Sequence, residues 1–131
     1  MKITQFKIDG KMETEGVWVP SGGGLELKIA RIGNLQYQNY MRKIGKPYSR
    51  QLRHGHVDAS VLDDLTMRSV AKHILLGWRN LQDADGKDIE HSAEKALELL
   101  KEYRGLYEMV LEIANDAELF RQEEKEDSKG N

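Results

Sequence analysis

The chain has 131 residues, no cysteine and a formal net charge of −2. This length is typical of one domain whose core is stable without metal or disulfide staples. The lack of cysteine excludes a disulfide framework and thiol catalysis and suits a cytosolic protein. The sequence contains no run of 18 apolar residues that would span a membrane. Its N-terminus has no continuous apolar stretch typical of a signal peptide.

The two halves of the chain carry opposite charge. Residues 1–56 contain ten Lys or Arg against four Asp or Glu, and residues 57–131 contain ten against eighteen, so the halves carry +6 and −8. Such an asymmetry allows the halves to pair within one chain or between copies. A homo-oligomer is therefore among the expected partners.

The first third of the sequence predicts strands. Polar and apolar residues alternate over residues 1–8 and 25–32, and residues 16–19 form a short β-branched and aromatic run. Asp9-Gly10 is a turn signal between the first two strands. Together these segments predict a small antiparallel sheet within residues 1–33.

The remainder of the sequence predicts helices. Asn34 is a suitable N-cap for a helix over 35–44, and Ser92 for a shorter helix that ends near Tyr103. Pro47 interrupts the first of these helices before a further turn at 48–53. The other predicted helices run from Asp58 or Ser60 to about Asn80 and from Gly105 to about Glu124.

The expected fold class is therefore α+β and predominantly α-helical. A small N-terminal antiparallel sheet (1–33) precedes a bundle of four to five helices (34–125). One domain covers residues 1–125, and the polar residues 126–131 are expected to be a disordered tail.

The helix predicted from Gly105 to Glu124 has an apolar stripe and an acidic exterior. The stripe is either part of the core or a surface that binds a partner, and its periodicity fits both. The candidate partner-binding residues on it are Leu106, Met109, Val110, Ile113, Ala117 and Phe120.

The sequence has no convincing metal or catalytic motif. His54 and His56 form a His-x-His pair near Asp58, but the further ligands that zinc needs are not evident. Asp83 to Gly86 resembles the start of a calcium loop but has no glycine at the sixth position, so a surface turn is expected. We expect no enzyme activity, no cofactor and no bound metal.

A basic stretch near the middle of the chain offers an alternative function. Five cations, interleaved with Tyr37, Tyr40 and Tyr48, can bind phosphates and stack on bases. The same residues fit an ordinary solvated face or one complementary to the acidic half, which we favour over a nucleic-acid site. The cations are Arg42, Lys43, Lys46, Arg50 and Arg53.

Four stretches together resemble the tail assembly chaperones of long-tailed, siphovirus-type bacteriophages. The resemblance covers roughly residues 25–125 and is a likeness of the whole pattern, without a chemical motif of its own. The stretches are Leu27–Asn34 followed by Tyr37 and Tyr40; Lys46–Arg50; Leu75–Leu81 with Asp83, Asp85-Gly86 and Ser92–Leu100; and Val110–Glu118 followed by Phe120-Arg121 and Glu123-Glu124.

The resemblance implies a non-catalytic role during infection. Such chaperones bind the tape measure protein, keep it soluble in the host cytoplasm, help recruit tail tube subunits, and are absent from the mature virion. The alternatives are a structural tail component, such as a tube or connector subunit, and a small nucleic-acid-binding protein that uses the basic half. No membrane partner is expected.

The resemblance also implies a second, longer product. In this family ribosomes often slip back one nucleotide near the end of the reading frame, which adds a C-terminal extension that contacts tail tube subunits. The residues Ser128-Lys129-Gly130 permit a slippery codon run of the form A-AAG-GGN. We therefore expect a minor frameshifted product that shares the residues up to about Lys129 or Gly130.

Overall fold

A three-stranded antiparallel sheet with strand order β1-β2-β3 organises the chain in the computed structural model, which describes residues 1–121. The strands are β1 (Val17–Pro20), β2 (Glu26–Ile29) and β3 (Leu75–Arg79). Leu27 lies at the centre of the sheet, opposite Val19 of β1 and Trp78 of β3. Alternation along β2 buries Leu27 and Ile29, as expected for a strand with one face on the core.

Helices form most of the described chain. Three 3₁₀ turns lie at Ile3–Phe6, Lys46–Tyr48 and Ala117–Phe120. The α-helices found within residues 1–121 are α1 (Gly10–Glu15), α2 (Leu35–Gly45), α3 (Ser49–His54), α4 (Ala59–His73), α5 (Ala93–Glu102) and α6 (Arg104–Ala114). The predicted tail at 126–131 and the predicted slippage site lie outside the described residues.

Local capping signals fixed two of the helix starts as predicted. The Asn34 side-chain oxygen accepts a hydrogen bond from the Tyr37 backbone N–H at 3.0 Å, which caps α2. The Ser92 hydroxyl accepts one from the Lys95 N–H, also at 3.0 Å, and caps α5. Asp58 precedes α4 as predicted, but its side chain makes no capping hydrogen bond.

The strand predicted over residues 1–8 is wrong. Ile3–Phe6 is a 3₁₀ turn, and Ile8 makes only an isolated bridge to Arg121. The turn signal at Asp9 is instead the N-cap of α1, because the Asp9 carboxylate accepts hydrogen bonds from two successive backbone N–H groups. That capping starts a helix where the alternating pattern predicted the end of a strand.

The sheet is not confined to the N-terminal part of the chain, because β3 follows α4. The predicted continuation of α4 to about Asn80 is wrong, and the helix ends at His73. The buried Asn34 amide donates to the His73 carbonyl at 3.3 Å, and the Ala30 N–H donates to the Ile74 carbonyl at 2.9 Å. These hydrogen bonds from distant residues satisfy backbone carbonyls at the C-terminal end of α4, and the chain continues as a strand paired with β2.

The single long helix predicted from Gly105 to Glu124 is also wrong. Helix α6 ends at Ala114, and a 3₁₀ turn follows at Ala117–Phe120. The Asp116 carboxylate accepts a hydrogen bond from the Glu118 N–H and so caps the new turn. The break redirects Phe120, whose carbonyl accepts a hydrogen bond from the Asp9 N–H at 2.9 Å.

The main core lies between one face of the sheet and helices α4, α5 and α6. Leu27, Ile29, Ile74 and Leu75 supply the sheet side and are fully buried. The helices contribute small and aliphatic residues to the same cluster: Val70, Ala71, Ala96, Leu99, Leu100, Val110 and Ala114.

Candidate partner-binding groove

The predicted partner-binding residues are mostly part of the chain's own packing. Val110 and Phe120 are fully buried at 0% exposure, so neither presents a surface to a partner in this conformation. Leu106, Met109 and Ile113 are partly buried against the main core, and Ala117 is partly buried in the following turn. Of these residues, Leu106 lines a groove that is open to solvent.

This groove has a volume of about 940 Å³ and lies between the loop after β3 and helix α5. Its apolar lining comes from Leu81 and Ile89 of the loop, Leu99 of α5, and Leu106 of α6. Tyr103, which joins α5 to α6, also lines it and is 54% exposed. The groove therefore combines side chains from three segments: the loop after β3, α5 and α6.

The loop that forms one wall is held against β3 by two aromatic side chains. The Trp78 indole N–H donates to the Ile89 carbonyl at 2.7 Å. His91 Nε2 lies 3.1 Å from the Leu75 carbonyl, and its ring meets that of Trp78 edge to face at 4.6 Å. These contacts hold the loop wall on β3 through buried Trp78 and partly buried His91.

The loop itself is a short hairpin closed by the predicted turn. The Asp83 carboxylate accepts hydrogen bonds from the backbone N–H groups of Asp85 and Lys87, and Gly86 follows with a φ of +79°. The Ile89 N–H donates to the Leu81 carbonyl at 2.8 Å. The prediction of a surface turn here is confirmed.

The charged residues around the groove are mainly acidic. Asp83, Asp88 and Glu90 line it together with one cation, Lys95. The Lys95 ammonium lies 3.0 Å from a Glu98 carboxylate oxygen, so that cation is already paired with a neighbour on α5. An apolar groove with this rim favours an apolar segment that carries Lys or Arg at its edges.

The predicted basic stretch forms a second surface feature. Lys46, Arg50 and Arg53 are exposed, and every residue of α3 is exposed. We call residues 46–54 the basic arm. The leucine of this arm, Leu52, folds back towards the backbone of Gly45 at the end of α2.

Three titratable groups with shifted pKa values lie around α2, α4 and α6. Burial raises the pKa of Tyr37, an effect that a hydrogen bond with Thr66 opposes. Burial also raises the pKa of Tyr107, with smaller contributions from nearby Tyr37 and Asp63. His73 has a lowered pKa, first because it is partly buried and second because of the adjacent lysine. These shifts follow from packing between helices.

Residues 1–121 contain no cluster of three or more His, Asp or Glu side chains arranged to hold a metal ion. None of the helices in this part of the chain is long and apolar enough to cross a membrane.

Sequence patterns did not predict the groove because its walls are distant in sequence. One signal was available, since Leu81 and Ile89 flank an Asp-Gly pair, an arrangement typical of a hairpin turn. The packing of that hairpin beside α5 depends on Trp78 and His91, whose partners the periodicity does not specify.

The fold and the site define the chain as a small α+β protein with an open, acid-rimmed apolar groove. The sequence profile of the YdaY prophage protein family matches residues 32–131. The chain therefore belongs to this family, and the phage origin implied by the resemblance is confirmed. No curated protein and no solved structure matches it.

Proposed function

We propose that the protein is a phage tail assembly chaperone that acts in the host cytoplasm during infection. It binds the tape measure protein, keeps it soluble, helps recruit tail tube subunits, and catalyses no reaction. Membership of a prophage family and the resemblance of residues 25–125 to such chaperones support the proposal. The observation that carries it is the open apolar groove beside α5.

The groove suits a helical client that buries its apolar side chains. Helix-in-groove recognition places residues at i, i+3, i+4 and i+7 of the client against apolar walls such as Leu81, Ile89 and Leu99. Tyr103 at the open side supplies an exposed aromatic contact, the type of residue that often dominates binding energy. The acidic rim favours client segments with Lys or Arg beside the apolar stripe.

The buried stripe residues limit where the client contacts α6. Val110 and Phe120 are enclosed by the chain itself, so we assign the α6 contribution to Leu106, which lines the groove. Met109 and Ile113 are partly buried against the core, and Ala117 is partly buried in the 3₁₀ turn after α6. Weak binding at each groove is compatible with function, because many copies along one long client act together.

The sharpest test replaces Tyr103 by serine. Tyr103 is the residue before α6 and makes no side-chain cap, so Tyr103→Ser removes an aromatic ring from the groove and supplies an N-cap hydroxyl. The fold should therefore be retained or slightly stabilised. In co-expression with the tape measure protein of the same prophage, we expect the wild type to keep the client in the supernatant and the variant to lose most of this effect.

A matched control changes an exposed leucine away from the groove. Leu35 is 63% exposed at the start of α2, so Leu35→Ser removes a similar amount of accessible apolar surface. This variant should keep the client soluble as well as the wild type does. The proposal fails if neither wild type nor variants affect the client, and the groove assignment fails if both substitutions act equally.

Mass spectrometry of purified virions separates the chaperone from a structural tail component. A chaperone is expected to be absent from particles and abundant in infected cells. Recovery of the chain at a stoichiometry similar to that of tube subunits would instead identify it as a tail component.

A further inference from the structure

The basic arm carries cations that residues 1–121 do not neutralise. Residues 27–57 contain seven Lys or Arg and no Asp or Glu. None of the ion pairs formed within residues 1–121 involves Lys46, Arg50 or Arg53. Helix α3 packs mainly against the preceding 3₁₀ turn, and all its residues are exposed.

Helix α5 carries a complementary row of carboxylates. Glu94, Glu98 and Glu102 recur at every fourth position and are exposed. At 3.6 residues per turn they share one helix face, opposite the face that buries Ala96 and Leu100. We call these three residues the acidic row. Glu94 and Glu102 form no ion pair within residues 1–121.

The packing of α4 keeps the arm and the row of one copy apart. Helix α2, which leads into the arm, contacts α4 through Tyr40, whose ring lies edge to face with His73 at 5.2 Å. Helix α5 contacts α4 elsewhere, where the Lys101 ammonium lies 3.8 Å from an Asp64 carboxylate oxygen. Helix α4 therefore separates α2 from α5, and they form no extensive contact of their own in the described chain.

We propose that copies of this protein associate head to tail, with the basic arm of one copy on the acidic row of the next. Because α4 separates the two surfaces on each copy, a contact that joins one arm to one row is heterologous and generates a ring or an extended array. The contact is separate from the groove and does not require a client.

The dimensions and charges of the two surfaces match. The row runs from Glu94 to Glu102, eight helical steps or about 12 Å, and the arm carries three cations over a similar number of residues. Glu98 is paired with Lys95 at 3.0 Å and exchanges that partner for a cation of the arm, whereas Glu94 and Glu102 form no ion pair within residues 1–121. Exposed ion pairs of this kind are individually weak and are screened by salt, because the Debye length falls from about 10 Å at 0.1 M to about 3 Å at 1 M.

The first experiment measures self-association of the full-length protein by sedimentation equilibrium at 50 mM and 500 mM NaCl. We expect concentration-dependent oligomers at 50 mM and a dissociation constant at least tenfold higher at 500 mM. A protein that stays monomeric at both salt concentrations up to about 1 mM would overturn the proposal. Self-association that is independent of salt would overturn it as well.

Charge reversal then tests the two surfaces. Arg50→Glu with Arg53→Glu, and separately Glu98→Lys with Glu102→Lys, should each abolish association at 50 mM NaCl. All four substitutions in one chain should restore it, because the two reversed residues of each surface then face opposite charges again. A loss caused by misfolding would not be restored, and circular dichroism melts of each variant report on the fold.

Two controls identify rival partners of the arm. Glu108→Lys with Glu112→Lys makes the same change in charge on α6 and should leave association unchanged. Neutralising the four acidic residues of segment 123–127 to their amides should also leave it unchanged, and a loss there would overturn the assignment to α5. Tight binding of single-stranded DNA to an otherwise monomeric protein would assign the arm to nucleic acid and overturn the proposal.

Discussion

Replacing Phe120 by alanine should strongly destabilise the protein. Phe120 is fully buried at 0% exposure in the 3₁₀ turn that follows α6. This turn packs against α1, and the Asp9 N–H donates to the Phe120 carbonyl at 2.9 Å. The side chain therefore helps to join the N-terminal segment to the C-terminal end of the described chain.

The magnitude follows from the burial of the ring. Truncation of a fully buried phenylalanine to alanine costs about 3–5 kcal/mol, which combines lost transfer energy with the cavity left behind. Domains of this size are typically stable by about 5–15 kcal/mol, so Phe120→Ala removes a large part of the free energy of unfolding. At roughly 3–6 °C per kcal/mol, the melting temperature should fall by about 10–30 °C.

The chain provides a chemically identical control, because it contains two phenylalanines. Phe6 is 54% exposed, and its ring centroid lies 6.0 Å from the Arg121 guanidinium. An exposed contact of that kind contributes about 0.5–1 kcal/mol at most, so Phe6→Ala should cost about 1 kcal/mol or less. Urea unfolding followed by circular dichroism measures both variants against the wild type.

The comparison distinguishes the observed turn from a continuous helix. If α6 continued to Glu124, the stripe containing Phe120 would extend away from α1 and the two substitutions would cost similar amounts. Two results would refute the packing of Phe120 against α1. One is a loss of unfolding free energy that agrees within about 1 kcal/mol for the two variants, and the other is a loss below about 1.5 kcal/mol for Phe120→Ala.

Five further variants test the helix caps, two glycine positions and the pH dependence of stability. Ser92→Ala should cost about 0.5–2 kcal/mol and Asp58→Ala well under 0.5 kcal/mol in urea unfolding, because only the first side chain makes a capping hydrogen bond. Gly16 has a φ of +83° and an added Cβ would lie 3.0 Å from a carbonyl oxygen of β2, so Gly16→Ala should cost about 1–3 kcal/mol. Gly10→Ala, in α1 with open space around it, should be neutral or stabilising in the same assay. Burial and the adjacent lysine lower the pKa of His73, so the unfolded chain binds its proton first as the pH falls. Stability should therefore decrease as the pH falls through about 6.5 towards the lower pKa of the folded state, and this component should vanish in His73→Gln.

The contribution of His73 is measured as the difference in stability between the wild type and His73→Gln at each pH. Carboxylates also titrate as the pH falls, so urea midpoints from pH 8 to pH 5 must be compared for the wild type and His73→Gln. Parallel curves for the two proteins would contradict the assigned environment of His73.

Features determined by neighbouring residues could be predicted from the sequence. The caps at Asn34 and Ser92, the strands β1 and β2, and the helices α2 and α5 all lie where local patterns placed them. Capping joins groups within about three residues, and strand or helix periodicity repeats over a few residues. Short-range interactions of this kind leave a direct signature in the order of amino acids.

The candidate site was only partly accessible to the same reasoning. Periodicity grouped Leu106 with Val110 and Phe120 on one apolar stripe, but it could not say which of them the chain itself would cover. That depends on the break after Ala114, where capping by Asp116 and the bond from Asp9 redirect the chain. The groove requires in addition the loop wall held by Trp78.

Only the tertiary structure decided the state of residues 75–79. Their apolar residues continue the pattern of α4, and a helix or a buried strand would each cover them. The outcome depends on β2, where Lys28 pairs with Gly77, and on Asn34, whose amide binds the His73 carbonyl. Those partners lie some 40 to 50 residues away in sequence, so no local sequence pattern around residues 75–79 indicates these hydrogen bonds. The bonds form only once the sheet and the helices have packed together.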